Sequence, residues 1–424
     1  VYLTEKSFVD FFVKIHFFYK NIIPFRDIFC CKFVIIVRRT FLGGGIMRFL
    51  HTADWHIGKK LHGYDLLEEQ KAAFEQILAI AKAEKVEAIV VAGDLYDRSV
   101  PAVEAIEVFN QMIIKMNLQE KYPVLAISGN HDSSVRLETG GPWFAQSNFH
   151  LNTQLIQAFQ PIEMNNTQFF LLPYFEPISA RIYFENEAIR TIEQAMKAVI
   201  NEMTKQFKPD MAHVLVSHFF VAGSEKSDSE TKLMVGGLDT VPVSLLEVFD
   251  YTALGHLHGK NALQAPKARY SGSPLKFSLS EKNQQKGVFI VDVTPDHTEF
   301  TFKELTPFRD IVQIEGAFKE ITAPAFYESI NREDYLHIQL TDRAIIPNMM
   351  NQLRQIYPRI IGVERLFGRE TKSQGEASQP LKTLEPVALV DQFFTEVTGE
   401  VLSVQQQSWL KEHLAAIHQE ERGK

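Results

Sequence analysis

The sequence predicts an α/β (α+β) protein of two modules: a large strand-and-helix domain over residues 47–305, then a small α/β domain over 306–367 followed by C-terminal helices. Three observations lead there. At 424 residues the chain is long enough for a large core plus an accessory module. Short apolar runs recur, and five of them empty into turns that carry Asp, Asn or His. Between the first two, Leu67, Phe74, Ile77, Leu78 and Ala81 recur at helical spacing, so strand and helix alternate.

Composition narrows the class. Apolar residues make up 45% and charged residues 23%, the mix of a soluble globular protein. The only two cysteines, Cys30 and Cys31, are adjacent, which leaves no disulfide framework and points to a reducing, cytoplasmic setting. A net charge of −8 argues against a basic coat, so any nucleic-acid contact has to come from local patches or a partner.

Residues 1–46 stand apart. They hold nine of the 33 phenylalanines, both cysteines, and seven Lys/Arg against three Asp/Glu. Lys14, Lys20, Arg26, Asp27 and Lys32 interrupt the apolar stretch, so no run reaches bilayer-spanning length, and no signal-peptide layout is present. This break predicts a non-native upstream extension with the true start at Met47; Leu42-Gly43-Gly44-Gly45-Ile46 can be encoded by a purine-rich, ribosome-binding-like sequence. The alternative is an amphipathic anchor. Without the 46 residues the chain keeps 37 basic and 49 acidic residues, or −12.

The first strand, from Met47, ends in Asp54-Trp55-His56. Ala88–Ala92 is a continuous buried-strand run that empties into Gly93-Asp94-Leu95-Tyr96-Asp97-Arg98. Val124–Ser128 leads into Gly129-Asn130-His131-Asp132, Val214–Ser217 into His218, and Thr252–Leu254 into Gly255-His256-Leu257-His258. Carboxylates, an amide oxygen and imidazoles are O/N donors suited to Mn²⁺, Fe²⁺ or Zn²⁺, and the lack of Cys disfavours a structural zinc site. Glycine before the donor in three motifs lets the backbone turn sharply off the strand. Such a set could hold two metals roughly 3.5–4 Å apart with one carboxylate bridging, as phosphoryl transfer requires. Singly, each motif reads equally as a surface turn or solvated loop. Five in order at strand ends point to one shared site, and His150, His297, His337, His413 and His418 lie outside it.

The series Asp-x-His, Gly-Asp-x-x-Asp-Arg, Gly-Asn-His-Asp, Ser-His and Gly-His-x-His resembles that of the calcineurin-like metallophosphoesterase superfamily. The resemblance implies a β-sandwich flanked by helices with a binuclear site at the strand ends. It implies one metal on Asp54, His56, Asp94 and His258, and a second on Asp94, Asn130, His218 and His256, with Asp94 bridging. It makes His131 the non-ligand histidine that protonates the leaving oxygen or stabilises the transition state. Asp132 would orient nearby groups. Arg98 would either contact phosphate or brace the site through a salt bridge.

The superfamily spans phosphatases, nucleotidases, cyclic-nucleotide phosphodiesterases and nucleases. His51-Thr52-Ala53-Asp54-Trp55-His56-Ile57-Gly58, Val235–Asp239 and Tyr270-Ser271-Gly272-Ser273-Pro274 with Phe277-Ser278 look like the SbcD family, from Met47 to near the C-terminus. Asp97 stands where archaeal and eukaryotic members often place His. This resemblance implies a DNA double-strand exonuclease and hairpin or single-strand endonuclease of repair and recombination. It implies Mn²⁺ as the metal, a homodimer, and an SMC-like ATPase, SbcC, as partner; the chain has no G-x-x-x-x-G-K-[ST] loop of its own. Two other readings stand beside it: a small-molecule or cyclic-nucleotide phosphodiesterase on the same site, and a DNA-bridging subunit whose metals are structural.

Residues 260–286 carry Lys260, Lys267, Arg269, Lys276, Lys282 and Lys286 against Glu281 alone. This is either a DNA-backbone patch or an ordinary solvated hairpin. Val221–Pro242 reads as a loop bordering the site. In the last third, Tyr335–Leu340 alternates like a strand, and Met349, Leu353 and Ile356 mark a helix before Arg359–Val363. By resemblance this is the capping domain. Residues 368–384 form a polar linker, and 385–424 form two helices. The first presents Leu389, Val390, Phe393, Phe394 and Val397. The second opens on the capping pattern Ser403-Val404-Gln405-Gln406 and presents Trp409, Leu410, Leu414 and Ile417. They either fold back on the domain or dock on the ATPase. Intact-mass measurement of protein made from the native gene should show a chain starting at Met47; a mass that includes residues 1–46 selects the anchor.

Overall fold

The computed structural model describes residues 45–224, 240–295, 297–366, 387–388, 390–391, 394–395 and 401–422. In chain order the strands are β1 (Met47–Thr52), β2 (Lys60–Leu61), β3 (Tyr64–Asp65), β4 (Ala88–Ala92), β5 (Val124–Ile127), β6 (Phe149–Asn152), β7 (Ile162–Met164) and β8 (Thr167–Leu172). They continue with β9 (Ala212–His218), β10 (Tyr251–Gly255), β11 (Ala268–Tyr270), β12 (Gly287–Thr294), β13 (His297–Glu304), β14 (Ile311–Gly316), β15 (Tyr335–Leu340) and β16 (Ile360–Arg365). The longer helices are α1 (Leu67–Glu84), α2 (Val103–Ile113), α3 (Ile192–Thr204), α4 (Met349–Ile356) and α5 (Val404–Arg422).

Two units divide the described chain. The first comprises residues up to Gly58, Ala73–Pro274 and Gln285–Leu305; the second comprises Lys59–Ala72, Leu275–Gln284 and the chain from Thr306 on. A boundary placed at 305/306 from sequence leaves Lys59–Ala72 and Leu275–Gln284 with the first unit, whereas the fold packs them into the second.

The first unit is a sandwich of two mixed sheets flanked by helices. One sheet has the order β13-β12-β1-β4-β5-β6, the other β11-β10-β9-β8-β7. Strands β1, β4, β5 and β6 are parallel, as are β8 to β11, which places all the donor-bearing strand ends of each sheet at one edge. Alternation decides what fills the space between the sheets. Phe49, Val90, Leu125, Phe169, Val214 and Tyr251 point inward, and the Phe49 ring meets that of Phe169 edge-on at 5.3 Å. The outward residues Phe170, Leu172 and Leu215 pack with Ala195, Met196, Val199 and Met203 of α3.

One inward position of β1 is polar. His51 is buried between Tyr251 and Leu254 of the opposite sheet. Its Nε2–H donates to the Leu254 carbonyl (3.2 Å), and its Nδ1 accepts from the Tyr251 hydroxyl (3.1 Å). The neutral ring therefore ties the two sheets just before the first donor turn, and burial pulls its pKa down from 6.5 to about 3.

The second unit contains the parallel sheet β14-β15-β16 and the β2–β3 hairpin. Its core joins Ile314, Leu336, Ile338 and Leu340 to Leu353 of α4 and to Tyr357. Arg309 Nη1 and the Tyr335 hydroxyl both donate to Glu69 Oε1, at 2.5 and 2.8 Å, so this buried carboxylate pins the segment from early in the chain onto β15. The predicted capping box is present: Gln406 N–H donates to Ser403 Oγ (3.3 Å), and Ser403 N–H to Gln406 Oε1 (2.9 Å). Val390 and Phe394 are described, and Trp409 is exposed. Residues 1–44, Val235–Asp239, the linker 368–384, Leu389, Phe393 and Val397, and the side chains of Leu414 and Ile417 lie outside what is described. Among the described residues no helix is long and apolar enough to cross a membrane.

Because folding lowers the His51 pKa, the unfolded chain binds the extra proton below its ordinary 6.5. This contribution to stability is full above that pH and declines as pH falls toward about 3, by up to ~1.4 kcal/mol per pH unit. Urea unfolding from pH 7 to 4 should therefore show a shallower pH dependence in His51→Gln than in the wild type; parallel slopes would refute the burial argument.

Candidate metal centre

The five predicted turns converge. Asp54 and His56 follow β1, Asp94 follows β4, Asn130 and His131 follow β5, His218 ends β9, and His256 and His258 follow β10. Asp54, His56, Asp94, His218 and His258 are all buried, with Asp54 0% and Asp94 2% exposed. Bringing donors from both sheets to one point bends the backbone. Asp54, His56, Asp94 and His256 have φ of 54°, 45°, 50° and 98°, in the left-handed region that non-glycine residues rarely adopt. The turns also approach too closely for a side chain at Gly93 or Gly129. A Cβ on Gly93 would strike the His218 ring, and one on Gly129 would strike the Asp94 carboxylate.

Two donor groups share Asp94. Its Oδ2 lies 3.5 Å from His56 Nε2 and 3.3 Å from His218 Nε2. On one side, His56 Nε2 faces His258 Nε2 at 3.2 Å, and Asp54, His56 and His258 bring their donor atoms within 4.8 Å of one another. On the other, Asn130 Oδ1 lies 3.0 Å from both His218 Nε2 and His256 Nδ1. The residues that the resemblance divides between two metals lie together here, and the donor atoms of His56, Asp94 and His131, and of Asp54, Asp94 and His218, also come within 4.8 Å of one another. Backbone N–H groups steady the carboxylates: His256 N–H donates to Asp54 Oδ1 and His131 N–H to Asp94 Oδ1, both at 2.9 Å. His218 Nδ1–H donates to the Ala92 carbonyl (2.8 Å), which aims its Nε2 at Asp94 and Asn130.

The electrostatics suit a cation. Burial pushes Asp54 up to about 7. Burial also opposes ionising Asp94, but the neighbouring His218 and His56 hold it well below the usual carboxylate range. His218 in turn is raised to about 9, the Asp94 carboxylate outweighing the burial that disfavours its charge. Burial and the His218 charge drop His256 to about 3, leaving it neutral. Asp54 Oδ2 is buried with no hydrogen-bond partner. An orphaned carboxylate oxygen amid imidazole nitrogens and an amide oxygen fits a divalent ion, which supplies the missing charge.

His131 stands beside this cluster, its ring perpendicular to that of His56 at 4.8 Å between centroids. Its Nδ1–H donates to the Asp97 carbonyl (3.0 Å), and one of its ring nitrogens lies within 4.8 Å of donor atoms of His56 and Asp94. Asp132 accepts from Leu95 N–H, Tyr96 N–H and Gly129 N–H (3.0, 2.9 and 2.9 Å), which clamps the Asp94 turn to the Asn130 turn, and burial lifts its pKa to about 7. Arg98 is 79% exposed and only 3.6 Å from Asp97 Oδ2, a loose pairing that leaves the guanidinium in solvent.

The basic residues of 260–286 are mostly committed to internal contacts. Lys260 Nζ sits over the Phe302 ring (3.7 Å) and donates to Gln285 Oε1 (2.8 Å). Arg269 lies over Phe300 (4.4 Å), and Lys276 pairs with Asp310 (2.8 Å). Lys286 is buried, while Lys267 is exposed. The sequence pattern alone gives His51 no role beyond its place in the SbcD-like segment and groups Lys286 with the surface charges. Strand alternation from Met47 and Phe49 already sends His51 inward; nothing in the local sequence marks Lys286 as buried.

The calcineurin-like phosphoesterase family matches residues 47–260, and a family described as type 5 capsule protein repressor C-terminal domain matches 307–398. The chain is 34% identical over 372 residues to the SbcD subunit of the SbcCD nuclease of Staphylococcus epidermidis, covering 88% of this chain and 99% of that protein. The chain belongs to the SbcD family. The crystal structure of TT1561 from Thermus thermophilus aligns over 61% of this chain and 99% of its own at 10% identity, but its TM-score of 0.36 carries no argument. As an SbcD-family member the chain is a metallophosphoesterase homologue with a buried His/Asp cluster of the kind that binds divalent metals.

Replacing Gly129 by Ala should displace Asp94, destabilise the fold by about 1–3 kcal/mol and weaken divalent-cation uptake at least ~10-fold, as read by thermal denaturation and calorimetric titration. Wild-type uptake in Gly129→Ala would show that the close approach does not shape the site.

Proposed function

We propose that this SbcD-family chain is a Mn²⁺-dependent DNA nuclease that hydrolyses phosphodiester bonds in duplex ends, hairpins and single strands, working in DNA repair and recombination with an SbcC-type ATPase. The observation that carries the reading is Asp94 Oδ2 set between His56 Nε2 and His218 Nε2, with a further donor group on each side. Asp54, His56, Asp94 and His258 would hold one ion, and Asp94, Asn130, His218 and His256 the other. When bound, the ions supply an acidified water and charge against the phosphate oxygens.

The chain's own part is positioning and proton transfer. His131, held by the Asp97 carbonyl, presents Nε2 to the scissile group and gives its proton to the leaving sugar oxygen as the P–O bond breaks. Asp132 keeps His131 in register with Asp94 through the three backbone N–H groups it binds. Arg98, exposed beside Asp97, would meet a phosphate oxygen. Of the basic residues, Lys267 is the exposed one but lies beside the start of β10, at the strand end away from the donor turns, while Lys260, Arg269 and Lys276 already serve internal contacts.

The assembly is part of the proposal. A homodimer is expected from family membership, and Ile106, Ile114 and Leu118, exposed around one surface cavity of the first unit, would suit its contact. Helix α5 and the segment before it would dock on the ATPase, with the chain's second unit acting as the cap over DNA. A cytoplasmic location accords with this role.

The test is Mn²⁺-dependent degradation of an end-labelled linear duplex by the purified chain, with and without the ATPase and ATP. Wild-type cleavage that drops by about 100-fold or more in His131→Ala is expected, the usual scale of a lost general acid. Hydrolysis of mononucleotides or cyclic nucleotides without DNA cleavage would select the small-phosphodiester reading, and undiminished function in His131→Ala would select a structural, DNA-bridging role.

A further inference from the structure

We infer that the Tyr270–Ser273 turn, together with Lys286, is a two-sided clamp that sets the affinity of the two candidate metal sites separately, the turn's hydroxyl acting on one and the lysine on the other. The inference rests on the binuclear reading above. It begins with a backbone need: past the ends of β9 and β10 the sheet no longer supplies partners for the chain that carries His218 and His258, and buried carbonyls and N–H groups there require others.

The turn supplies them. Tyr270 is fully buried; its hydroxyl donates to the Phe219 carbonyl (2.8 Å) and accepts from Val221 N–H (2.9 Å), so it grips the chain one and three residues beyond His218. At the other end, Ser273 N–H donates to the His258 carbonyl (3.2 Å). Gly272 has φ +75°, and a Cβ there would press on that same carbonyl, so the turn can lie this close only with glycine. Lys286, 6% exposed at the mouth of β12, donates from Nζ to the His258 carbonyl (2.8 Å) and to Ser273 Oγ (2.9 Å).

Two donors on one carbonyl hold the peptide plane that follows His258 and so limit how far the backbone that carries its side chain can move. Tyr270 does the same for the chain that leaves His218. Both residues bond main-chain atoms of the donor segments, which makes them positioning residues. Lys286 has a second, opposing effect, because its positive charge disfavours a nearby cation. The sign of the mutant effect therefore separates positioning from charge: loss of positioning weakens metal binding, and loss of repulsion strengthens it.

Calorimetric titration of the metal-free full chain with Mn²⁺ tests this, with His258→Ala and His218→Ala identifying which binding step belongs to which site. Lys286→Met should weaken by about 10–100-fold the step that His258→Ala removes and leave the other in place, and Tyr270→Phe should do the converse. An isotherm unchanged in both variants, an equal loss of both steps in each, or tighter binding in Lys286→Met would overturn the clamp. A wild-type chain that takes up no Mn²⁺ would sink the binuclear reading and the clamp with it.

Discussion

Two carboxylates set side by side out of water make the strongest demand in this molecule. The effective cost of removing one ion from water is several kcal/mol, and Asp54 and Asp94 both sit where solvent cannot reach them. Much of what surrounds them answers that demand. Backbone N–H groups of His256 and His131 are committed to carboxylate oxygens, imidazoles crowd in from both sheets, and four donor residues accept a left-handed backbone to reach the spot. Strain of this kind persists only where the surroundings over-determine it.

The sandwich meets the demand because its strands end together. Parallel order within each half of the fold brings turns from residues far apart in sequence to one edge, and an apolar interior filled by alternate residues keeps the two sheets from shifting past each other. His51 adds a polar tie across that interior, from the strand that leads to Asp54 to the strand that leads to His256. Rigid elements of this kind hold donor atoms more closely than free loops can.

Much of this was legible in the sequence, for a physical reason. A buried strand needs an unbroken apolar run, and a donor turn at its end needs Asp, Asn or His, often with Gly; those requirements are local, so Ala88–Asp94 and Val124–Asp132 announce themselves. The helix start at Ser403 is readable for the same reason. The fate of a lysine is not local. Lys260, Lys276 and Lys286 look alike in sequence, yet one lies over a phenylalanine ring, one pairs with a carboxylate, and one is buried against a carbonyl. Only the register of segments distant in the chain decides among these. The same holds for Glu69, whose burial depends on Arg309 and Tyr335, two partners that no sequence window contains.

The second unit draws on three separate stretches of chain, and this bears on how the protein is made. Lys59–Ala72 leaves the ribosome early, Leu275–Gln284 much later, and the three-stranded sheet of the same unit is completed last, at β16. The early hairpin must wait, with Tyr64 and Glu69 uncovered, through the synthesis of nearly the whole first unit. Contacts this distant along the chain form slowly, so the nascent protein spends its longest vulnerable interval with that hairpin open to solvent.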